Sequence, residues 1–296
     1  MKDITSERSA VRLPKWRGTK IKGGLSASNL SVLIAGFVLV FITVCAIVPS
    51  WIAPYAPTFM FSDEILVAPS LAHLFGTDYF GRDVFSLVVH GSRDSMIIGV
   101  SAVLIGAVAG GGIGALAGYI GGIIDAIFMR VIEILMTIPG VLLALAIAAA
   151  LGPSLKNIVL AIAISSIPGY ARIMRGQMIS IKKRPYVAAS RSIGASNARI
   201  LFWHILPNAW SPILVMATIG LGSAILTGAG LSFLGLGVIK EVPDWGALLS
   251  QGRNYLTAGW WMATFPGLAI TAFVLSINIA GDKVQDFANP KTSKGR

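Results

Sequence analysis

Six apolar runs recur along the chain, at 29–52, 95–118, 129–151, 156–174, 208–236 and 260–281. A helix rises about 1.5 Å per residue, so roughly 20 apolar residues cross the hydrocarbon layer of a bilayer. None of the runs alternates polar and apolar residues with a period of two. Backbone groups in lipid must bond internally, so the pattern predicts spanning helices rather than a barrel. The fold class read here is all-α: a polytopic membrane protein with six transmembrane helices. The first run is taken as a retained span, because its apolar stretch 30–52 exceeds a signal-peptide core and no small-residue cleavage site follows at 51–57. Pro139-Gly140, Pro168-Gly169 and Gly228-Ala-Gly230 are candidate breaks within the spans.

This pattern divides the chain into an amino-terminal tail (1–28), a first span (29–53) and an external segment (54–94). A core of five spans (95–281) follows, interrupted by a polar loop at 183–207, and a carboxy-terminal tail (282–296) ends the sequence. Composition agrees: 55% hydrophobic residues, 12% charged residues and a mean hydropathy of +0.76 exclude a soluble globular domain. The net charge of +11 invites a nucleic-acid reading, but its distribution argues against one. Of the 24 Lys and Arg, 19 fall in the two tails, at Arg130, or in the island from Arg172 to Arg199, all on one side of a six-span topology. The positive-inside rule places that side, with both termini, in the cytoplasm, and the basic balance then reflects topology and anionic lipid. The single cysteine, Cys45, excludes an internal disulfide and reads as a packing residue.

In the external segment, Gly76 and Gly81 suit tight turns, Asp78 and Asp83 are candidates to cap a helix or pair with Arg82, and Val84, Phe85, Leu87 and Val88 form an apolar face suited to the membrane interface. Neighbouring His73 and His90 do not make a metal site by proximity alone, and no metal or catalytic role is assigned. Gly106, Gly110, Gly114, Gly118 and Gly122 recur every four residues, a ridge that lets another helix approach closely. No P-loop, Gly-x-Ser-x-Gly or His-Glu-x-x-His string occurs, so neither nucleotide hydrolysis nor other catalysis is assigned to the chain, and no cofactor is expected. Glu133 is the main intramembrane acid and is expected to pair with Arg130. An ion-coupled carrier would bury a cluster of acids around broken helices, so the energy source is placed outside the chain.

The island itself reads as a helix-turn-helix knob. Pro185 suits a helix start, Gly194 a left-handed terminator, and Ser196 or Asn197 a cap for a second short helix through His204, stopped before Pro207. A second external segment, 238–259, carries Pro243-Asp-Trp-Gly246. Trp245, Trp260 and Trp261 suit anchoring at the membrane boundary, with contact to an external protein as the alternative. Ser165, Ser166, Ser223, Thr227 and Asn278 are small polar candidates for lining a path.

The island resembles the EAA loop of ATP-binding-cassette importer permeases. Aligned on Gly194, the three opening positions fall on Ala188, Ala189 and Ser190, and the closing ones on His204, Leu206 and Pro207; the glutamate of the pattern is absent. More broadly, Phe75-Gly-Thr-Asp-Tyr-Phe-Gly-Arg-Asp83, Gly91-Ser-Arg-Asp-Ser95, Ala117-Gly-Tyr-Ile-Gly-Gly122, Leu231-Ser-Phe-Leu-Gly-Leu-Gly237, Pro243-Asp-Trp-Gly246 and Phe265-Pro-Gly-Leu-Ala269 are similar to the dipeptide, oligopeptide and nickel permeases. The resemblance implies the type I importer permease fold in a bacterial inner membrane. It also implies a second, non-identical permease, two cytoplasmic ATPases that hydrolyse ATP, and a periplasmic solute-binding protein. Tyr186, Ala188, Ala189, Ser190, Gly194, His204, Leu206 and Pro207 would couple to an ATPase. Gly76, Asp78, Gly81, Arg82, Asp83, Asp244, Trp245 and Gly246 would be structural or meet the binding protein. Peptide is the first expectation for the solute; nickel, a metallophore, an opine or glutathione are the alternatives, and an ion-coupled secondary transporter is the competing class.

Overall fold

A computed structural model of the chain describes residues 27–288, with side chains over 30–286. The expected tails at 1–28 and 282–296 therefore lie largely outside the described residues, as do Lys291, Lys294 and Arg296. The elements are α1 (Ala27–Ile47), α2 (Val84–Ile120), α3 (Gly122–Met136), α4 (Gly140–Leu151), α5 (Leu155–Lys182), α6 (Pro185–Ser192), α7 (Asn197–Arg199), α8 (Leu206–Leu231), α9 (Trp245–Gly252) and α10 (Trp261–Ala288). Wider π-type turns at Ile200–Ile205 and Ser232–Leu236 flank α8. Among the described residues the only extended pairing is one bridge between Thr77 and Asp83. Among the described residues five helical stretches are long and apolar enough to cross a membrane, and α3 with α4, which meet at 89°, counts as a sixth if the bent pair is a single span.

That bend falls where Pro139 interrupts the run 129–151. Proline lacks an N–H and disfavours helical backbone in the residue before it, so the chain turns at Thr137 and Ile138 and restarts at Gly140. The other two candidate breaks do not break. Helix α5 runs through Pro168, and α8 runs through Gly228 and Gly230 to Leu231. Both are held in place by packing on neighbours, which outweighs local preference.

Helix α2 begins well before the run 95–118. The carboxylate of Asp83 caps it, accepting from the Ser86 backbone N–H at 2.8 Å and the Ser86 hydroxyl at 2.7 Å. The apolar face expected on the membrane interface is thus the first turns of a span. Val84, Leu87 and Val88 are buried in a cluster with Ile42, Trp245, Trp261 and Phe273, which joins α1, α2, α9 and α10.

The glycine ridge of α2 forms the closest seam in the fold. Helices α2 and α5 run parallel, and Gly106, Gly110, Gly114 and Gly118 face the carbonyls of Ala163, Ile167, Ala171 and Arg175 in turn. A methyl group added at Gly110, Gly114 or Gly118 would meet α5 backbone oxygen at less than ordinary contact distance. Gly122 is not part of this ridge. The helix has already ended there, and nothing approaches it.

Candidate functional site

The island folds as a knob at the end of α5. Arg184 is extended, Pro185 sits in the first turn of α6, and Gly194 takes φ +85, the left-handed geometry expected of it. The Gly194 N–H donates to the Arg191 carbonyl at 3.0 Å and the Ala195 N–H to that of Ser190 at 3.1 Å, which closes the helix end in a Schellman arrangement. Ser196 then caps α7, its hydroxyl accepting from the Arg199 N–H at 3.3 Å. The expected stop before Pro207 is absent. From Asn197 the helix continues through the π turn into α8, one stretch to Leu236. Pro207 lies inside this stretch, and the wide turn before it makes room for the ring and for the missing N–H. The His204 carbonyl is bonded by the Asn208 side-chain amide at 2.7 Å and, more loosely, by the Tyr186 hydroxyl at 3.4 Å.

Three aliphatic side chains root the knob. Val187 (1% exposed), Ile200 and Ile205 pack with Met174, Met178 and Ile181 of α5 and Ile213 of α8. Sequence reasoning treated the island as basic and passed over these residues; their signal was the apolar residue set into a charged stretch. The outer surface carries Ala188, Ala189, Gly194 and Pro207, all exposed, with Ser190, His204 and Leu206 half-buried. It also presents Ile193 (86% exposed), Phe202 (61%) and Trp203 (79%), which were not singled out in the sequence.

At the opposite end, the strings around Gly76 and Trp245 form a braced lobe. Asp78 accepts from the Phe80 and Arg82 N–H groups, each at 2.8 Å, and binds the Arg82 guanidinium twice at 2.7 Å; Arg82 also reaches the Glu241 carbonyl at 2.9 Å. His73 lies between Asp83 at 2.9 Å and Glu64 at 2.6 Å. Trp245 donates to the Val88 carbonyl and Trp261 to that of Thr77. Asp244 caps α9 through the Gly246 and Ala247 N–H groups and accepts from the Ser232 hydroxyl at 2.9 Å. Burial pushes the Asp244 carboxyl above the usual aspartate range, against the pull of these hydrogen bonds. Asp78, Arg82, Asp83, Asp244, Trp245 and Gly246 are all buried within the chain, which fits the structural one of their two expected roles. Trp245 and Trp261 are likewise core residues, not boundary anchors; of the three tryptophans only Trp260 is exposed. Among the described residues no cluster of metal-ligating groups exists.

Between these ends a cleft of about 830 Å³ opens beside the α3–α4 bend, bounded by α2, α5 and α8. Ser165, Ser166, Ser223 and Thr227 line it, with Tyr170 and Gln285; Asn278 does not, lying instead on α10 beside Gly222. No ionisable acid or base other than Tyr170 reaches the lining. Arg130 and Glu133 pair on α3 at 3.6 Å, as expected, but both are exposed and the pair is weak. A firmer pair was not foreseen: Arg175 of α5 grips Asp125 of α3 at 2.5 and 2.6 Å in a two-pronged geometry.

Residues 110–294 match a family model described as the binding-protein-dependent transport system inner membrane component. The chain is 42% identical to the probable D,D-dipeptide transport system permease protein of Escherichia coli, with 97% of each chain covered. It is 42% identical to the di/tripeptide transport system permease protein of Pseudomonas aeruginosa, over 90% of this chain and 89% of that one. A glutathione transport system permease protein of Escherichia coli is 43% identical, over 89% and 87%.

Proposed function

The chain belongs to the family of binding-protein-dependent transport system inner membrane components, and on that premise we propose how its parts divide the work of solute import. It is a multi-pass inner-membrane permease subunit of an ABC importer, a transport subunit and not an enzyme. In the proposed assembly it pairs with a second, non-identical permease and two cytoplasmic ATPases, and receives solute from a periplasmic binding protein. Both termini and the knob face the cytoplasm, as the clustering of Lys and Arg favours.

The observation that carries this reading is the shape of the knob. It is rooted by Val187, Ile200 and Ile205, it presents Ile193, Phe202 and Trp203 outward, and it passes into α8 without a break. A rigid-body movement of an ATPase seated there would turn α5 and α8, which form two walls of the cleft. The cleft is this chain's share of the path, and its neutral hydroxyl lining leaves selection mainly to the binding protein. The solute class is a di- or oligopeptide, in keeping with the named relatives; glutathione, itself a tripeptide, is the second reading and has the named glutathione permease in its favour.

Reconstitution of the four-component complex in liposomes tests the proposal. Uptake of labelled dialanine should require ATP and loaded binding protein. Uphill uptake by this chain alone, without nucleotide, would overturn it.

A further inference from the structure

One side chain joins three helix ends that the chain order keeps apart. Tyr119 is the next-to-last residue of α2, and its hydroxyl donates to the carbonyl of Asn197, the first residue of α7, at 2.8 Å. Its own carbonyl, left without a helical N–H at the end of α2, accepts from the Lys182 ammonium at 2.6 Å. Lys182 is the last residue of α5, and its charge lies 5.4 Å from the centre of the Tyr119 ring. A cation at a helix carboxyl end also meets the negative end of the helix dipole.

We infer that Tyr119 and Lys182 are positioning residues of ATP-driven transport, clamping α2 to the knob so that the knob's motion reaches α2 as well as α5 and α8. The inference rests on the importer reading above. Helices α5 and α8 receive motion through the continuous chain, whereas α2 has no covalent link to the knob. Its glycine seam with α5 is tight from Gly106 to Gly118, but glycines bring no side chain of their own to lock its lengthwise register. The clamp closes the cytoplasmic end of that seam and prevents such a slip. Ala102 and Val103 of α2 share a wall of the cleft with Ile162 and Ser166 of α5, so a slip there would change the path during each cycle.

The experiment uses the full complex in liposomes and measures solute moved per ATP hydrolysed, with labelled dialanine, or with labelled glutathione if the wild type carries that instead. Tyr119→Phe keeps the ring and removes the donor; Lys182→Met removes the charge and keeps the stem. Each should lower the ratio about fivefold, the factor that losing one ordinary hydrogen bond of ~1 kcal/mol carries, with the complex still assembling and its melting temperature falling by no more than about 4 °C. Lys182→Arg, which keeps a donor, should restore it. An unchanged ratio in both variants overturns the inference while leaving the importer reading intact. Loss of assembly overturns it too, since the clamp would then maintain the knob's fold rather than pass its motion. A wild-type complex that moves neither solute with ATP defeats the underlying reading instead.

Discussion

The lobe around Asp78 and Trp245 and the knob around Gly194 are both dense in distinctive sequence strings, yet they use them in opposite directions. In the lobe, Asp78, Arg82, Asp83, Asp244 and Trp245 turn inward and find their hydrogen-bond partners inside the chain, so the strings specify a brace. In the knob, three buried aliphatics hold the element and most of its remaining residues are exposed, so the string specifies a surface. The difference teaches that a motif's chemical character does not say which way it points. A buried carboxylate without its partners costs several kcal/mol, which ties the lobe's polar residues to a fixed internal geometry. Exposed Ala188 or Gly194 bears no such cost and is free to serve a partner.

Substitutions should separate the two regions, most sharply at the brace. Arg82→Met strands Asp78 in a buried site and should cost about 3–5 kcal/mol; Trp245→Ala should cost a similar amount, about 3–5 kcal/mol, from lost packing and an open cavity. Thermal unfolding in detergent checks both, and a melting temperature within error of the wild type would refute the inward reading of the lobe.

In the knob, Gly194→Val forces a β-branched residue into φ +85, where the space is open but the backbone is not permissive. The expected stability loss is smaller, about 1–3 kcal/mol, while co-purification with the ATPase should fail. Normal co-purification together with normal uptake would show that the turn is not needed for docking. Next in size, Trp203→Ser should shift stability by no more than about 0.5 kcal/mol, as for exposed sites generally. It should weaken ATPase binding measurably in a titration of detergent-purified complex; unaltered binding would remove Trp203 from the docking surface.

The smallest effect concerns pH. Burial holds the Asp244 carboxyl above its ordinary value, so the folded lobe binds that proton more tightly than the unfolded chain does. Its stabilising contribution is full below the ordinary aspartate range and is lost as pH rises through the raised value. Mild acidification from neutral should therefore favour the wild type more than Asp244→Asn, which keeps the cap without the charge. Nearby Asp94, itself bonded by Lys240 at 2.8 Å, adds to the rise. Identical melting curves against pH for the two proteins would exclude the effect.

Much of this was legible in the chain. Apolar runs longer than 20 residues are hard to place anywhere but across a bilayer, so the spans were found, with errors mainly at their ends. Gly194, Pro185 and Ser196 were legible because each meets a local backbone demand that few other residues meet. Pro139, Pro168 and Gly228-Ala-Gly230 show the limit: each is an interruption on paper, but only the first breaks its helix, because α5 and α8 are held by neighbours distant in sequence. The tether from Tyr119 to Asn197 and the grip of Arg175 on Asp125 join residues 78 and 50 positions apart, and no local pattern announces such pairs.

The sequence by itself determined the membrane class, the apolar runs, the turn at Gly194 and the ridge on α2, because hydrophobic length and backbone sterics act over short stretches. Tertiary structure alone decided that the lobe's polar residues face inward, that the third span bends by 89° and that the knob's second helix runs on into α8. Those outcomes depend on which distant groups satisfy a buried charge, fill a cavity or accept a freed carbonyl, and such partners exist only once the chain is folded.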